Sequence, residues 1–185
     1  MKPAGAPYDI VIAGRGGQGV LYLSRILGEA ALVQGLAVRT TETHGMAMRG
    51  GSVLCFVRIG SALGPLFPRG SADLLMVLHP AEAATGHPYL GPGGVVVFNG
   101  ASGSLPEFLR VREGVFPVDA ESMARSVGNP RGANLALVGA AASLLRDFPL
   151  APPSIKEAIV SQGPERFRTT NLEVFRLGQS GTGKD

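Results

Sequence analysis

The chain has 185 residues, 45% of them apolar and 17% charged, the balance of a folded domain with a real core and the opposite of a disordered segment. Its single cysteine, Cys55, excludes an internal disulfide framework, a four-cysteine zinc site and an iron–sulfur cluster held by this chain alone. The formal charge of +3 rests on 17 basic residues, mostly arginines spread singly along the chain without an aromatic stripe, a pattern that argues against nucleic acid.

Tyr8–Ala13, YDIVIA, is a short apolar run ending at a glycine cluster and reads as a buried parallel strand. Apolar residues at helical spacing from Gly17 to Val33 predict an amphipathic helix that stops near Gly35, and Ala37–Thr41 predicts the next strand. Together these make a βαβ unit with a right-handed crossover. Ser52–Ile59, Ala72–Leu78, Gly94–Phe98 and Val115–Val118 follow as strands, with a Gly- and Pro-rich loop over Gly60–Arg69. A short helix is expected through Ala81–Ala84, and Asp119 is placed to cap another over Ala120–Ser126. Asn134–Phe148 is a long apolar helix, broken by Pro149, Pro152 and Pro153, and Ser154–Gln162 and Pro164–Leu177 are amphipathic pieces. Strands alternating with helices imply a single three-layer α/β/α domain with a Rossmann-like, mostly parallel sheet over residues 1–178, and residues 179–185 read as a disordered tail. No apolar run reaches the roughly 18 residues of a membrane helix, and Met1–Pro7 has no signal-peptide pattern. The expected setting is a reducing cytoplasm.

Two glycine-rich segments carry the chemistry. Gly14-Arg15-Gly16-Gly17-Gln18-Gly19 matches G-x-G-x-x-G directly after a strand and at the start of a helix. Its glycines let a ligand reach the backbone, and the helix N-terminus offers unpaired N–H groups to a phosphate; they also suit a merely tight turn. Gln18 could cap the helix or bond a ligand. Glu42 is the candidate for a ribose-binding acid. The second segment, Thr41–Ser52, reads TETHGMAMRGGS and is expected as a polar loop between strands, facing the same crevice as the first. There Arg49, beside Gly50 and Gly51, could present its fork to a phosphate or carboxylate or pair with Glu42. His44 could serve as an acid or base or only as a loop hydrogen-bonder. Cys55, mid-strand, reads as a buried, inert thiol, and His79 and His87 lack metal-ligand spacing. There is no hydrolase triad, nucleophile elbow or Walker lysine.

GRGGQGV at Gly14–Val20, ETHGMAMRGGSV at Glu42–Val53, the LHP after a strand at Leu78–Pro80 and NLEVFRLG at Asn171–Gly178 together resemble the gamma-type domain of 2-oxoacid:ferredoxin oxidoreductases. The HGM…RGGSV form is most similar to the small subunit of the indolepyruvate branch. The resemblance implies a subunit without catalytic residues of its own, inactive alone. A large partner subunit would carry thiamine diphosphate and four-iron–four-sulfur clusters, decarboxylate a 2-oxo acid and pass electrons to ferredoxin and the acyl group to coenzyme A. By position, Gly14, Gly16, Gly17, Gln18 and Gly19, with His44, Arg49, Gly50, Gly51 and Ser52, are the candidates for contacting coenzyme A. Arg15 stands where many family members have a small residue. Two further readings remain open: a free-standing NAD(P)- or flavin-binding module, and a structural partner whose glycine loops only pack on another subunit. An isolated chain could also pair with itself through the face meant for its partner.

Overall fold

Along β1, Tyr8–Arg15, successive side chains face opposite sides of a sheet and both sides are buried. Ile10 and Ile12 enter one apolar cluster and Val11 and Ala13 the other, so this strand reads as continuously apolar. The computed structural model describes residues 5–44 and 50–181, without the side chain of His44. The other strands are β2 (Val38–His44), β3 (Ser52–Ile59), β4 (Ala72–Val77), β5 (Leu90–Asn99) and β6 (Val115–Val118). They form one six-stranded sheet in the order β2-β3-β1-β4-β5-β6. β4, β5 and β6 continue parallel from β1, whereas β3 pairs antiparallel with both β1 and β2.

The thick layer on one face holds α1 (Val20–Val33), α4 (Ala120–Ser126), α5 (Ala133–Leu144), α6 (Pro152–Gln162) and α7 (Arg168–Ser180). The other face is covered more thinly. There α2 (Ala83–Gly86), α3 (Glu107–Arg110) and the loop carrying Phe67 close over Phe56, Leu75 and Phe98. That loop is fastened by Arg58, whose Nε donates to Asp9 Oδ1 at 2.8 Å and whose Nη1 donates to the Leu66 carbonyl at 2.9 Å.

Three-layer α/β/α architecture with a mostly parallel sheet is therefore observed, with four departures from the sequence reading. The first βαβ unit is opened: β1 and β2 run the same way but β3 lies between them. The expected twelve-residue loop is shorter, because Thr41–His44 extends β2 as a polar edge strand pairing from Thr41↔Phe56 to His44↔Val53; alternating threonines suit such an edge. Helix α5 ends at Leu144 rather than Phe148, with Leu145 already extended. Gln34 holds the departing chain, donating to the Pro149 carbonyl at 3.0 Å and accepting from the Ala151 N–H at 2.6 Å. Finally, α7 takes in Gly178–Ser180, and residues 182–185 lie outside the described residues.

Gly178, inside the last helix, packs directly against α5. A Cβ there would collide with the Ala136 backbone carbonyl of α5, and one at Gly139 would collide with the Phe175 carbonyl of α7. The two helices touch backbone to backbone, with a glycine supplied by each. Gly139→Ala or Gly178→Ala must push them apart, at a cost of about 1–3 kcal/mol. Urea denaturation should register this as a lower midpoint with an unchanged slope.

Candidate functional site

Because β1, β2, β4, β5 and β6 share one direction, their C-terminal ends open on the same edge of the sheet, joined by the N-terminal end of β3. The first glycine loop sits at its centre. The Gly16 N–H donates to the Gly51 carbonyl at 2.9 Å, and a Cβ on Gly16 would lie 3.2 Å from the Gly50 nitrogen. Both glycine segments thus meet at the crevice, as their sequences imply.

Individual positions divide. Gly14 is a packing glycine, since a Cβ would lie 2.6 Å from Val20 Cγ2 and 3.1 Å from Leu78 Cβ. Gly17 and Gly19 hold φ of 97° and 79°, values that favour glycine. Gln18 closes its own turn: its Oε1 accepts the Arg15 N–H at 2.8 Å, while the Gln18 N–H donates to the Arg15 carbonyl at 3.1 Å. Arg49 and the neighbouring 45–48 lie outside the described residues, as does the side chain of His44. Glu42 pairs across from Cys55 on β3. With β3 interposed, β2 lies two strand spacings from β1, roughly 10 Å, so Glu42 is not beside the glycine loop as a ribose-binding acid would be.

Ser52 and Arg15 belong to a structural lock. Glu82, only 6% exposed, accepts from Arg15 Nε at 3.2 Å and from Thr85 Oγ1 at 3.2 Å, and is also hydrogen-bonded to Ser52. Burial pushes the Glu82 carboxyl up, but the hydrogen bonds from Ser52, Arg15 and Thr85 outweigh it and hold the group below its ordinary value. The lock ties the ends of β1 and β3 to the turn after β4. In that turn the His79 Nδ1 accepts the Ala81 N–H at 3.2 Å, which makes it a cap, while His87 packs edge-on against Phe108 at 5.0 Å. No group of three His, Cys, Asp or Glu among the described residues could hold a metal ion. Cys55 is buried, and burial first of all pushes its thiol up to about 11.

On the helical side of the glycine loop lies a cleft of about 610 Å³ that the sequence reading missed. Its walls carry four buried asparagines, Asn99, Asn129, Asn134 and Asn171, and three arginines, Arg125, Arg131 and Arg166. Asn129 Nδ2 donates to Asn171 Oδ1 at 2.7 Å, and Asn134 Nδ2 donates to the Gly19 carbonyl at 3.2 Å. The buried Asn134 Oδ1 and Tyr22 hydroxyl have no hydrogen-bond partner. Burial also raises the Tyr22 phenol above its ordinary value. The sequence signal was present in Asn134, an amide opening the apolar helix NLALVGAAA, and in Asn171 at the head of the closing motif.

The lock has a pH signature. A carboxylate held low stabilises the fold above its unfolded pKa of about 4.3, and this contribution fades as pH falls through the lowered native value. Arg15 is 44% exposed, so the buried hydrogen bonds carry most of it. Glu82→Gln should cost about 1–3 kcal/mol at pH 7, and the gap to the parent chain should narrow in acid. Chemical denaturation at pH 7 and near pH 3.5 measures both. Native Cys55 should likewise resist alkylation at pH 8 and react only on unfolding, as mass spectrometry of iodoacetamide-treated chain would report.

The sequence profile of the family described as pyruvate ferredoxin/flavodoxin oxidoreductase matches residues 9–180. The indolepyruvate oxidoreductase subunit IorB of Pyrococcus horikoshii is 37% identical over 190 residues, covering 92% of this chain and 94% of that subunit. Among solved structures, the gamma subunit of a keto/oxoacid ferredoxin oxidoreductase from Geobacter sulfurreducens superposes with a TM-score of 0.77 at 24% identity, over 95% of this chain and 98% of that one. A 2-oxoglutarate:ferredoxin oxidoreductase from Magnetococcus marinus, solved with 2-oxoglutarate, coenzyme A and succinyl-CoA, superposes with a TM-score of 0.78 at 24% identity; the match covers 95% of this chain and 31% of that longer one. The folds agree at low identity, and the sequence match runs from β1 to the end of α7; the chain belongs to the pyruvate ferredoxin/flavodoxin oxidoreductase family.

Proposed function

We propose that the chain is the small subunit of a 2-oxoacid:ferredoxin oxidoreductase acting on indolepyruvate or another arylpyruvate. The observation that carries this is the 37% identity to an indolepyruvate oxidoreductase subunit along 94% of that subunit's length. The chemistry of the chain agrees with a divided task. An iron–sulfur cluster takes several thiolates, and the one cysteine here is buried in β3 with its proton held. The family resemblance assigns thiamine diphosphate and the clusters to a large partner subunit, which also meets ferredoxin, and the lone buried cysteine agrees for the clusters. Thiamine diphosphate supplies the carbanion stabilisation that decarboxylation of a 2-oxo acid demands.

Coenzyme A is placed against the two glycine segments. Gly16 and Gly51 bring them into contact, Gly17 and Gly19 expose backbone at the start of α1, and Arg49, Gly50 and His44 are proposed as further contacts on their place in the second segment of the sequence. Gln18 and Ser52 serve this surface by holding it, the first through Arg15 and the second through Glu82. The domain is read as spanning residues 1–178 and working in the cytoplasm, and no helix of the described residues is long and apolar enough to cross a membrane.

Two measurements test this. The purified chain alone should reduce no viologen dye with indolepyruvate and coenzyme A, whereas the chain recovered with its thiamine-dependent partner should; turnover by the single chain would refute the division of labour. In the reconstituted complex, Arg49→Ala should raise the KM for coenzyme A about tenfold, the loss of one charge-assisted hydrogen bond. An unchanged KM would remove Arg49 from the binding surface.

A further inference from the structure

The Leu78–Pro80 motif lies outside both glycine segments, yet the fold turns it toward them. At the end of β4 the Leu78 N–H donates to the Ala13 carbonyl of β1 at 2.8 Å, which fixes the point where the chain leaves the sheet. His79 is still extended, with φ −137° and ψ 129°, and Pro80 opens a single turn over Pro80–Glu82, a position where its fixed φ suits and its missing N–H costs nothing. The turn is closed twice. His79 Nδ1 accepts the Ala81 N–H at 3.2 Å, and the His79 carbonyl accepts the Glu82 N–H at 2.9 Å. Motif and turn together seat the buried Glu82 side chain beside the ends of β1 and β3.

The glycine segments need such a seat because the ladder between their strands ends there. Arg15↔Ser52 is the last pair of the β1–β3 register, and beyond it the Gly16 N–H still reaches the Gly51 carbonyl at 2.9 Å. Glu82 bridges the segments at that point. It accepts from Arg15 Nε at 3.2 Å in the first, from the Ser52 side chain in the second and from Thr85 Oγ1 at 3.2 Å in α2. The first loop is already fixed in itself, since Gln18 bonds both the N–H and the carbonyl of Arg15. What Glu82 sets is therefore the placement of one segment against the other. Without its carboxylate, Arg15 and Ser52 lose a buried acceptor, and among the described residues one main-chain hydrogen bond is left to join the segments past the ladder.

We infer that Glu82 is a positioning residue for coenzyme A: it sets the spacing of the two glycine segments from behind the ligand surface, and the Leu78–Pro80 motif serves to seat it. The inference deepens the coenzyme A surface proposed above and rests on it. A ligand held between two backbone segments is sensitive to their separation, because productive contacts require placement within about 0.5 Å.

Steady-state kinetics of the reconstituted complex test it, with Gly178→Ala as a control that also lowers stability but acts in the α5–α7 contact. Glu82→Gln should raise the KM for coenzyme A about tenfold and leave the KM for the 2-oxo acid unchanged. Thr85→Val, at an exposed position where folding is not at stake, should raise the KM for coenzyme A about threefold, and it decides the matter if Glu82→Gln fails to assemble. Gly178→Ala should change neither KM. Hydrogen–deuterium exchange of the purified chain adds a readout that needs no partner: Glu82→Gln should speed exchange across residues 14–19 and 50–54, and Gly178→Ala should not do so there. An active complex in which the Glu82 and Thr85 variants match Gly178→Ala in their KM for coenzyme A would overturn the inference, as would unchanged exchange at both segments. A parent complex without coenzyme A-dependent turnover would instead overturn the function proposed above, and this inference with it.

Discussion

The backbone contact between α5 and α7 is the constraint on which the rest of the helical layer depends. Gly139 and Gly178 allow the two helices to meet with no side chain between them, closer than any pair of alanines would permit. This closeness lets Asn171, at the start of α7, reach Asn129 just before α5. It also sets Asn134 under the glycine loop, where its amide occupies the space a Cβ on Gly19 would need. One helix-packing choice thereby fixes which helix starts share the cleft. The apolar sequence of α5, buried nearly all round, is explained in the same way: it is sandwiched between the sheet, α4 and α7.

Most of the architecture was legible because its elements obey local rules. β1, β3 and β4 alternate between two buried faces and are rich in branched residues, so they announce themselves as strands. The apolar positions of α1, from Val20 to Ala31, recur at helical spacing and are the buried ones. Asp119 caps α4 by accepting the Ser122 N–H at 3.1 Å, as its position before an alanine-rich helix implies. Family membership was legible for a different reason, since two glycine motifs and a closing NLEVFRLG in fixed order are far more specific than any one of them.

What escaped the sequence depends on partners distant along the chain. The insertion of β3 between β1 and β2 leaves no local trace, because an antiparallel and a parallel buried strand have the same composition. The polar segment at Thr41–His44 read as loop; only the presence of β3 alongside makes it a strand. The cleft drew residues from six stretches between Gly17 and Asn171, and the motifs among them, at Gly17–Gly19, Leu78 and Asn171, do not show in sequence that they share one wall. Arg15 was visible as a departure from its relatives, but its partner Glu82 lies 67 positions away.

The pairing of β1 with β3 bears on how such chains can vary in length. Arg15 faces Ser52 in register, and each strand is buried on both faces. A residue inserted or deleted within either strand would shift the glycine segments past one another and turn every core side chain beyond the change to the opposite face of the sheet. Length differences between relatives should therefore accumulate outside the paired strands, as in the loop from Gly60 to Arg69, where no register has to be kept.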